Sequence, residues 1–173
     1  GYTVPNTVIT SAQDFLRASH VTAADGTPIW RLNQQAFVLY SLAYSGAPDI
    51  ARTANLYDQR QRLSLYAQAL LAETLHIIDP QDTTRTNEIL NDLVNAASIS
   101  ATGVHWSESE RDYYNWNTDT RTTALIMRAM LRLRPDSDLL PGAVRYLITQ
   151  RRADAWETTQ ETAWAVMALT DWM

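Results

Sequence analysis

Apolar residues recur every three or four positions through most of the chain, which is the spacing of helices that bury one face. Few stretches show the strict alternation of apolar and polar residues that is typical of a half-buried strand. Residues that end or begin helices, such as Gly46 with Pro48 and Asp79 with Pro80, divide the pattern. The sequence therefore predicts eight helices, at about residues 6–19, 33–45, 48–58, 61–78, 83–100, 118–134, 139–152 and from 157 onward.

Alternate helices share a motif of small and large apolar residues. In the second, fourth, sixth and eighth helices the motif contains Ala36, Ala67, Ala124 and Ala163, which allow close helix packing. Few charges lie in the middle of these four helices, so we expect them to be buried on most sides. The helices between them, such as the one containing residues 87–93, carry a single apolar stripe and are expected to cover them. Buried helices that alternate with half-exposed ones indicate a curved array of helical hairpins.

The spacing of the motif indicates which kind of array this is. Successive copies lie 31, 57 and 39 residues apart, whereas a tetratricopeptide-like solenoid repeats at a constant interval. We therefore predict an all-α fold, an α/α toroid of about four hairpins of inner and outer helices, with residues 1–173 as a single domain. Met173 falls inside an apolar helical pattern, so the toroid is expected to be partial and the chain a fragment. An apolar seam at the missing hairpins would favour self-association.

Composition and charge remove several classes of function. Apolar residues make up 46% of the chain and the net charge is −5, which is typical of a globular domain without a basic surface for nucleic acid or anionic membranes. No stretch approaches the roughly 20 apolar residues that a membrane span needs. The chain has no cysteine, which excludes disulfides, thiolate metal sites and a thioester formed within these residues. We predict no metal and no cofactor.

The polar loop at residues 102–117 holds the first group of candidate residues. His105 and Glu108 are two candidate metal ligands without an evident third, and the alternative is a solvated loop whose Trp106 packs against the end of the toroid. Tyr113, Tyr114 and Trp116 are candidates for a surface on which a sugar or a peptide stacks. The same three aromatic residues could instead cover the core.

Two carboxylates near the starts of predicted inner helices are the second group. Asp119 and Glu161 are candidates for the acid pair of a toroid glycosidase, in which two carboxyl groups flank the scissile bond. Carboxylates at these positions also interact favourably with the helix dipole. In addition, residues 158–161 fit a capping arrangement, in which a threonine hydroxyl and the Glu161 carboxylate accept from free backbone amides. His76 lies near the end of an apolar helix, where a histidine favours the carbonyl end of the dipole.

The order of residues in the second half of the chain resembles a known family. Residues 139–152 are similar to an outer helix and the following turn in the thioester domain of alpha-2-macroglobulins and complement components, and residues 104–125 resemble that family's long tryptophan-containing loop. Residues 1–16 resemble the passage after the thioester segment of the bacterial members. The start of the next inner helix carries a family-like motif made of Trp156, Thr159, Gln160, Glu161, Thr162, Ala163 and Trp164.

The resemblance implies the later part of a thioester-containing toroid in a bacterial alpha-2-macroglobulin. Such a parent would be an extracytoplasmic inhibitor that traps proteases, and the partners of this segment would be target proteases and other domains of the parent. The family's Cys-x-Glu-Gln segment is missing here, so His20, His76 and His105 inherit no role. The expected function is a scaffold that shields the thioester without catalysis, with Trp164 buried in the ring. The alternatives are a carbohydrate-active enzyme that uses Asp119 and Glu161, and a helical interaction module without a thioester.

Overall fold

A computed structural model describes residues 3–20, 22–108, 110 and 112–173 of the chain. These residues contain α-helices α1 to α8 and a two-stranded sheet of β1 and β2. The elements are α1 Asn6–Ala18, α2 Ile29–Tyr44, α3 Ile50–Asp58, α4 Leu65–Ile78, α5 Thr83–Asn95, β1 Ser98–Ser100, β2 Gly103–His105, α6 Asp119–Leu133, α7 Leu140–Gln150 and α8 Thr159–Trp172. A short 3-10 turn, Arg60–Arg62, precedes α4.

The even-numbered helices form the inner layer of an arc. Helix α2 packs on α4, α4 packs on α6, and α6 packs on α8, so neighbours in the arc follow the order of the chain. Helices α3 and α5 pack against α4 from outside, and α7 packs against α6 and β2. This arrangement of inner and outer helices confirms the predicted all-α toroid.

The core lies between the inner helices, as the repeated small residues predict. Ala36, Ala67 and Ala124 are each 0% exposed and lie in one cluster of buried apolar side chains with the leucines of α4 and α5. The side chains of α2, α4 and α6 are buried on most faces, which confirms the expectation for three of the four inner helices.

Helix α8 departs from that expectation. Only Glu161, Ala165 and Ala168 of α8 are buried, whereas Ala163 is exposed and Trp164 is half-buried. The expectation that Trp164 is buried in the ring was therefore wrong. The physical reason is that α8 packs on α6 through one face, while Val166 on another face is 50% exposed.

One predicted helix boundary was wrong because a β hairpin forms where the helix was expected to continue. The helix predicted to end at residue 100 ends at Asn95, and residues 98–100 pair antiparallel with residues 103–105, so that Ile99 lies opposite Val104. The turn is followed by Gly103, whose φ of +131° is a conformation that residues with a side chain rarely adopt. A Cβ on Gly103 would lie 2.4 Å from the carbonyl oxygen of Gly142, so only glycine lets this hairpin approach α7 so closely.

The remaining boundaries differ by a few residues. Helix α2 begins at Ile29, directly after Pro28, and not at Asn33 as predicted, because Pro28 and its fixed φ lead into the first turn. Helix α4 begins at Leu65 because the residues before it form the 3-10 turn. Among the described residues, no helix is both long and apolar enough to cross a membrane.

Candidate functional site at the amino ends of the inner helices

The loop at residues 106–118 crosses the arc where the inner helices begin. Thr118 caps α6, its hydroxyl accepting a hydrogen bond from the backbone N–H of Arg121 at 3.2 Å. The loop also contacts α2 and α4 through acidic and amide side chains. We call residues 106–118, apart from the undescribed Ser109 and Arg111, the bridging loop.

Glu108 supplies the cap of α4. Its carboxylate accepts hydrogen bonds from the backbone amides of Leu65 at 3.0 Å and Tyr66 at 3.1 Å, and from the hydroxyl of Thr122 at 3.3 Å. Ser64, which directly precedes α4, makes no side-chain cap of its own. Burial raises the pKa of Glu108 above its usual value, although the two amides and the hydroxyl act in the opposite direction. Sequence reasoning missed this cap because Glu108 lies 43 residues from Leu65.

Asp112 joins the bridging loop to α2 and α4. Its carboxylate accepts from the amide of Asn33 at 3.0 Å, from the hydroxyl of Tyr66 at 3.3 Å and from the amide of Asn115. The same Asn115 amide donates to the backbone oxygen of Trp30 at 2.8 Å. Burial acts to raise the pKa of Asp112, but the hydrogen bonds from Asn115 and Asn33 outweigh it and hold the pKa below its usual value.

Trp106, the first residue of the bridging loop, is fixed in the core. It is 0% exposed, its indole Nε1 donates to the backbone oxygen of Leu93 at 2.6 Å, and its backbone N–H donates to the hydroxyl of Thr123 at 3.1 Å. This agrees with the interpretation that Trp106 packs against the end of the toroid. The idea that the whole loop is merely solvated was wrong, because Glu108 and Asp112 both bind helix residues.

The two predicted metal ligands, His105 and Glu108, contact different helices. His105 stacks on the ring of Tyr146 in α7, with 4.7 Å between ring centroids, whereas Glu108 caps α4. Within the described ranges, no group of three histidine, cysteine or acidic residues is arranged to hold a metal ion. The proposed His105–Glu108 metal site therefore has no support in this geometry.

Three other aromatic residues of the bridging loop face outward. Tyr113 is 76% exposed, Tyr114 is 71% exposed and Trp116 is 70% exposed, so they do not cover the core. Tyr114 stacks on Trp30 of α2 with 4.5 Å between ring centroids. A surface on which a sugar or a peptide stacks stays a prediction for these three residues.

The two carboxylates considered for a glycosidase line one polar cavity of about 360 Å³, together with Tyr146 and Gln150. Both carboxylates already have structural partners. Asp119 accepts a hydrogen bond from the hydroxyl of Ser107 at 2.9 Å, in the first turn of α6. Glu161 is 4% exposed and accepts from the backbone N–H of Thr158 at 3.0 Å, while the Thr158 hydroxyl accepts from the Glu161 N–H at 3.1 Å. This is the expected capping box, and it accounts for Glu161 without catalysis.

The family-like motif of residues 156–164 forms the junction between α7 and α8. Trp156 is 8% exposed, and its indole Nε1 donates to the backbone oxygen of Leu147 at 2.8 Å. Its backbone N–H donates to the hydroxyl of Thr162 at 3.1 Å. Thr159 and Gln160 lie exposed in the first turn of α8. The motif thus connects the end of the last outer helix to the start of the last inner one.

Two ion pairs at the opposite end of the inner helices, each with one buried partner, were not predicted. Arg132 of α6 contacts the buried carboxylate of Glu73 in α4 at 2.7 Å, and buried Arg128 contacts Asp171 of α8 at 2.8 Å. Burial outweighs the attraction of Arg132 and raises the pKa of Glu73. Partners 43 and 59 residues apart leave no local signal in the sequence.

Comparisons with solved structures support the fold over nearly the whole chain. It resembles alpha-2-macroglobulin of Salmonella reacted with methylamine, at 18% identity and a TM-score of 0.72, over 99% of this chain and 11% of that one. It also resembles native alpha-2-macroglobulin of Escherichia coli from domain MG7 to the C-terminus, at 18% identity and a TM-score of 0.71, over 99% of this chain and 27% of that one. Escherichia coli alpha-2-macroglobulin activated by porcine elastase matches at 20% identity and a TM-score of 0.70, over 99% of this chain and 15% of that one.

Sequence comparison identifies the family. No curated protein sequence is significantly similar to the chain. The sequence pattern of the A-macroglobulin TED domain matches residues 42–172, which is most of the chain and includes every inner helix in whole or in part. With the toroid arc and this match together, the chain belongs to the A-macroglobulin TED domain family.

Proposed function

We propose that this chain is a scaffold part of the thioester domain of a bacterial alpha-2-macroglobulin-like protein that traps proteases. The observation that carries the proposal is the match of residues 42–172 to the A-macroglobulin TED domain. The chain spans about a tenth of the Salmonella protein and about a quarter of the Escherichia coli fragment that it resembles. Protease trapping is therefore proposed for a parent protein of that architecture.

The scaffold's contribution would be to keep water from a thioester supplied by a segment outside this sequence, because the chain has no cysteine. The arc is suited to that task, since α2, α4 and α6 pack through side chains that are buried on most faces. The bridging loop closes one end of the arc through hydrogen bonds that Asp112 accepts from α2 and Glu108 accepts from α4. We propose no catalytic residue, because Asp119 and Glu161 are both engaged in structural hydrogen bonds.

The proposed partners are target proteases and other domains of the parent, and the proposed location is extracytoplasmic, as for the alpha-2-macroglobulins. Self-association stays a prediction. It is supported by exposed apolar side chains at both ends of the described chain, with Phe15 of α1 at 71% and Trp172 of α8 at 41% exposed. Light scattering of the 173-residue chain across a range of concentrations tests it, and a constant monomer mass would contradict it.

Thiol titration of the parent protein tests the proposed function. Methylamine opens an internal thioester, so we expect one new free thiol per parent chain after treatment. The control is the parent with the thioester cysteine replaced by alanine, which should release none. If the parent released no thiol with either methylamine or protease, covalent trapping would be refuted.

The shielding role of this chain needs a second experiment in the same parent. Trp106→Ala weakens the core under the bridging loop and should increase thiol release in buffer alone, without amine or protease. Tyr113→Ala is the matched control, because that tyrosine lies in the same loop but is 76% exposed. Equal rates of spontaneous release for both variants and the unmodified parent would show that the scaffold does not protect the thioester.

A further inference from the structure

A second cavity, of about 320 Å³, lies beside the bridging loop between the inner helices. Residues of α2, α4, α6 and α8 line it, and so does the bridging loop. Five aromatic residues line it, Phe37, Tyr66, Tyr114, Trp116 and Trp164, and its polar lining includes Gln34 and Gln160. It is separate from the cavity that holds Asp119 and Glu161.

Arg121 lines this cavity from the first turn of α6. It is 5% exposed and its guanidinium lies over the ring of Tyr66, 4.6 Å from the centroid. Its Nε and Nη1 are buried and have no hydrogen-bond acceptor among the described residues. Buried side-chain donors almost always have a partner, and an unpaired one destabilises the fold. The unpaired donors of Arg121 therefore point to an acceptor supplied by a ligand.

The charges near Arg121 limit the kind of acceptor. Glu108 and Asp112 both interact electrostatically with its guanidinium, and both are already held by hydrogen bonds from α2, α4 or the loop. Two carboxylates near one guanidinium disfavour a third, so an anionic ligand would be repelled. A neutral carbonyl oxygen satisfies the free donors without adding charge.

The other polar groups fit an amide. Gln34 and Gln160 each carry both a hydrogen-bond donor and an acceptor, which is the complement of a secondary amide with its N–H and C=O. The aromatic walls would contact an apolar group next to that amide. Trp116, one of these walls, is 70% exposed and has a φ of +55°, a conformation that is unfavourable for a bulky residue. An exposed aromatic ring held in an unfavourable backbone conformation supports a role in binding an apolar group.

We propose that this cavity binds an extended, uncharged polypeptide segment, with a backbone carbonyl accepting from Arg121 and an aromatic or aliphatic side chain between the aromatic walls. We favour a polypeptide because the match covers only 11% and 27% of two proteins that share this fold, so in those proteins the domain has further polypeptide at high local concentration around it. N-acetylated sugars carry the same amide group and form the second arm of the test. The proposal does not depend on a thioester or on protease trapping.

Titration of the 173-residue chain with N-acetylphenylalaninamide tests the site, because the probe combines a neutral amide with an aromatic side chain and does not obscure tryptophan fluorescence. We expect saturable binding with a Kd on the order of 1 mM, as is usual for a ligand of this size. The nitrogen-15 resonance of the Arg121 Nε–H should shift with the same midpoint. N-acetylphenylalanine, whose free carboxylate adds a charge, should bind at least about fivefold more weakly, and N-acetylglucosamine should not bind saturably.

Two exposed aromatic residues provide a matched pair of variants. Trp116→Ala should raise the Kd at least about tenfold, because it removes one wall of the cavity. Tyr113→Ala should leave the Kd unchanged, because Tyr113 lies in the same loop and is equally exposed but does not line this cavity. Circular dichroism and the Tm of each variant establish that the chain is folded.

Several results would overturn the proposal. They are the absence of saturable binding to the folded chain, tighter binding of the carboxylate than of the amide, and equal loss of affinity in both variants. Saturable binding of N-acetylglucosamine that depends on Trp116 would identify a sugar site and refute the assignment to a polypeptide.

Discussion

The indole of Trp106 is the largest fully buried side chain in the described part of the chain, and replacing it with alanine tests how the end of the arc is held. Removing a buried tryptophan costs about 3–5 kcal/mol through lost contacts and the cavity left behind. The backbone oxygen of Leu93 also loses the indole donor at 2.6 Å, which adds about 1 kcal/mol. We therefore expect Trp106→Ala to lower the free energy of unfolding by about 4–6 kcal/mol, a large share of the roughly 5–15 kcal/mol of a typical domain.

Urea denaturation followed by circular dichroism measures this change, and calorimetry should show a Tm lower by about 8–24 °C for a chain of this length. Trp106→Phe separates the two contributions, since it keeps a buried ring but loses the bond to Leu93. Its loss should be less than half of that of Trp106→Ala. Trp116→Ala is the control, with an expected change within about 0.5 kcal/mol because the side chain is 70% exposed. A loss below about 1 kcal/mol for Trp106→Ala would refute the assignment of Trp106 to the core.

Three further predictions concern other parts of the fold. Trp164→Ala should cost only about 1–2 kcal/mol in urea denaturation, because a half-buried ring at the edge of the core loses fewer apolar contacts than a fully buried one, in addition to its contact with Arg128, 5.4 Å from its centroid. A loss as large as that of Trp106→Ala would contradict the placement of α8. Gly103→Ala should cost about 2–4 kcal/mol of folding stability, since the new Cβ meets α7 backbone atoms at 2.4 and 2.7 Å. The control Gly46→Ala, at a residue with a positive φ but nothing within 4 Å, should cost about 1 kcal/mol. Equal losses would exclude the close approach of the β hairpin to α7. Burial raises the pKa of Glu108 in the folded chain, so protonation of Glu108 stabilises the fold below the ordinary pKa of 4.5, and this contribution is lost as pH rises through the folded pKa. Glu108→Gln should therefore gain stability relative to the unmodified 173-residue chain as pH rises from 4.5. A stability difference independent of pH would refute the pKa shift.

The periodicity of apolar residues in the sequence was sufficient to predict the arc of inner and outer helices. Helices α4 and α6 were predicted within a few residues of their observed bounds, because small residues such as Ala67 and Ala124 mark the buried faces directly. The capping box at Thr158 was equally predictable, since its two partners lie three residues apart and satisfy each other locally. Local features of this kind require no knowledge of the tertiary structure.

The hairpin of β1 and β2 could not be predicted from local sequence features. Ser98 to Ser100 carry no strong strand pattern, and all three are exposed, so they pair only because Gly103 permits the return of the chain against α7. The exposed face of α8 was missed for a related reason. Its composition is that of a buried helix, but burial depends on which neighbours pack against it, and a helix motif alone does not specify them.

The candidate site was predictable only in its residue types. Aromatic and acidic residues in one loop suggested chemistry there, but the roles of Glu108 and Asp112 depend on partners 42 to 79 residues away. The lack of an acceptor for Nε and Nη1 of Arg121 among the described residues gives no signal in the sequence, because a basic residue in the first turn of a helix is usually solvated. Such long-range partners become visible only when the helices are placed side by side.

The cap that Glu108 gives to α4 changes how the arc is expected to come apart. In a stacked array whose repeats touch only their neighbours, hairpins unfold one after another from the ends. Here the amino end of α4 is capped by Glu108, which follows α5 and the β hairpin in the sequence, and Asp112 in the same loop accepts a hydrogen bond from α2. Helices α2 and α4 and the bridging loop before α6 are therefore expected to open together, as one cooperative unit that forms only after the loop has been made.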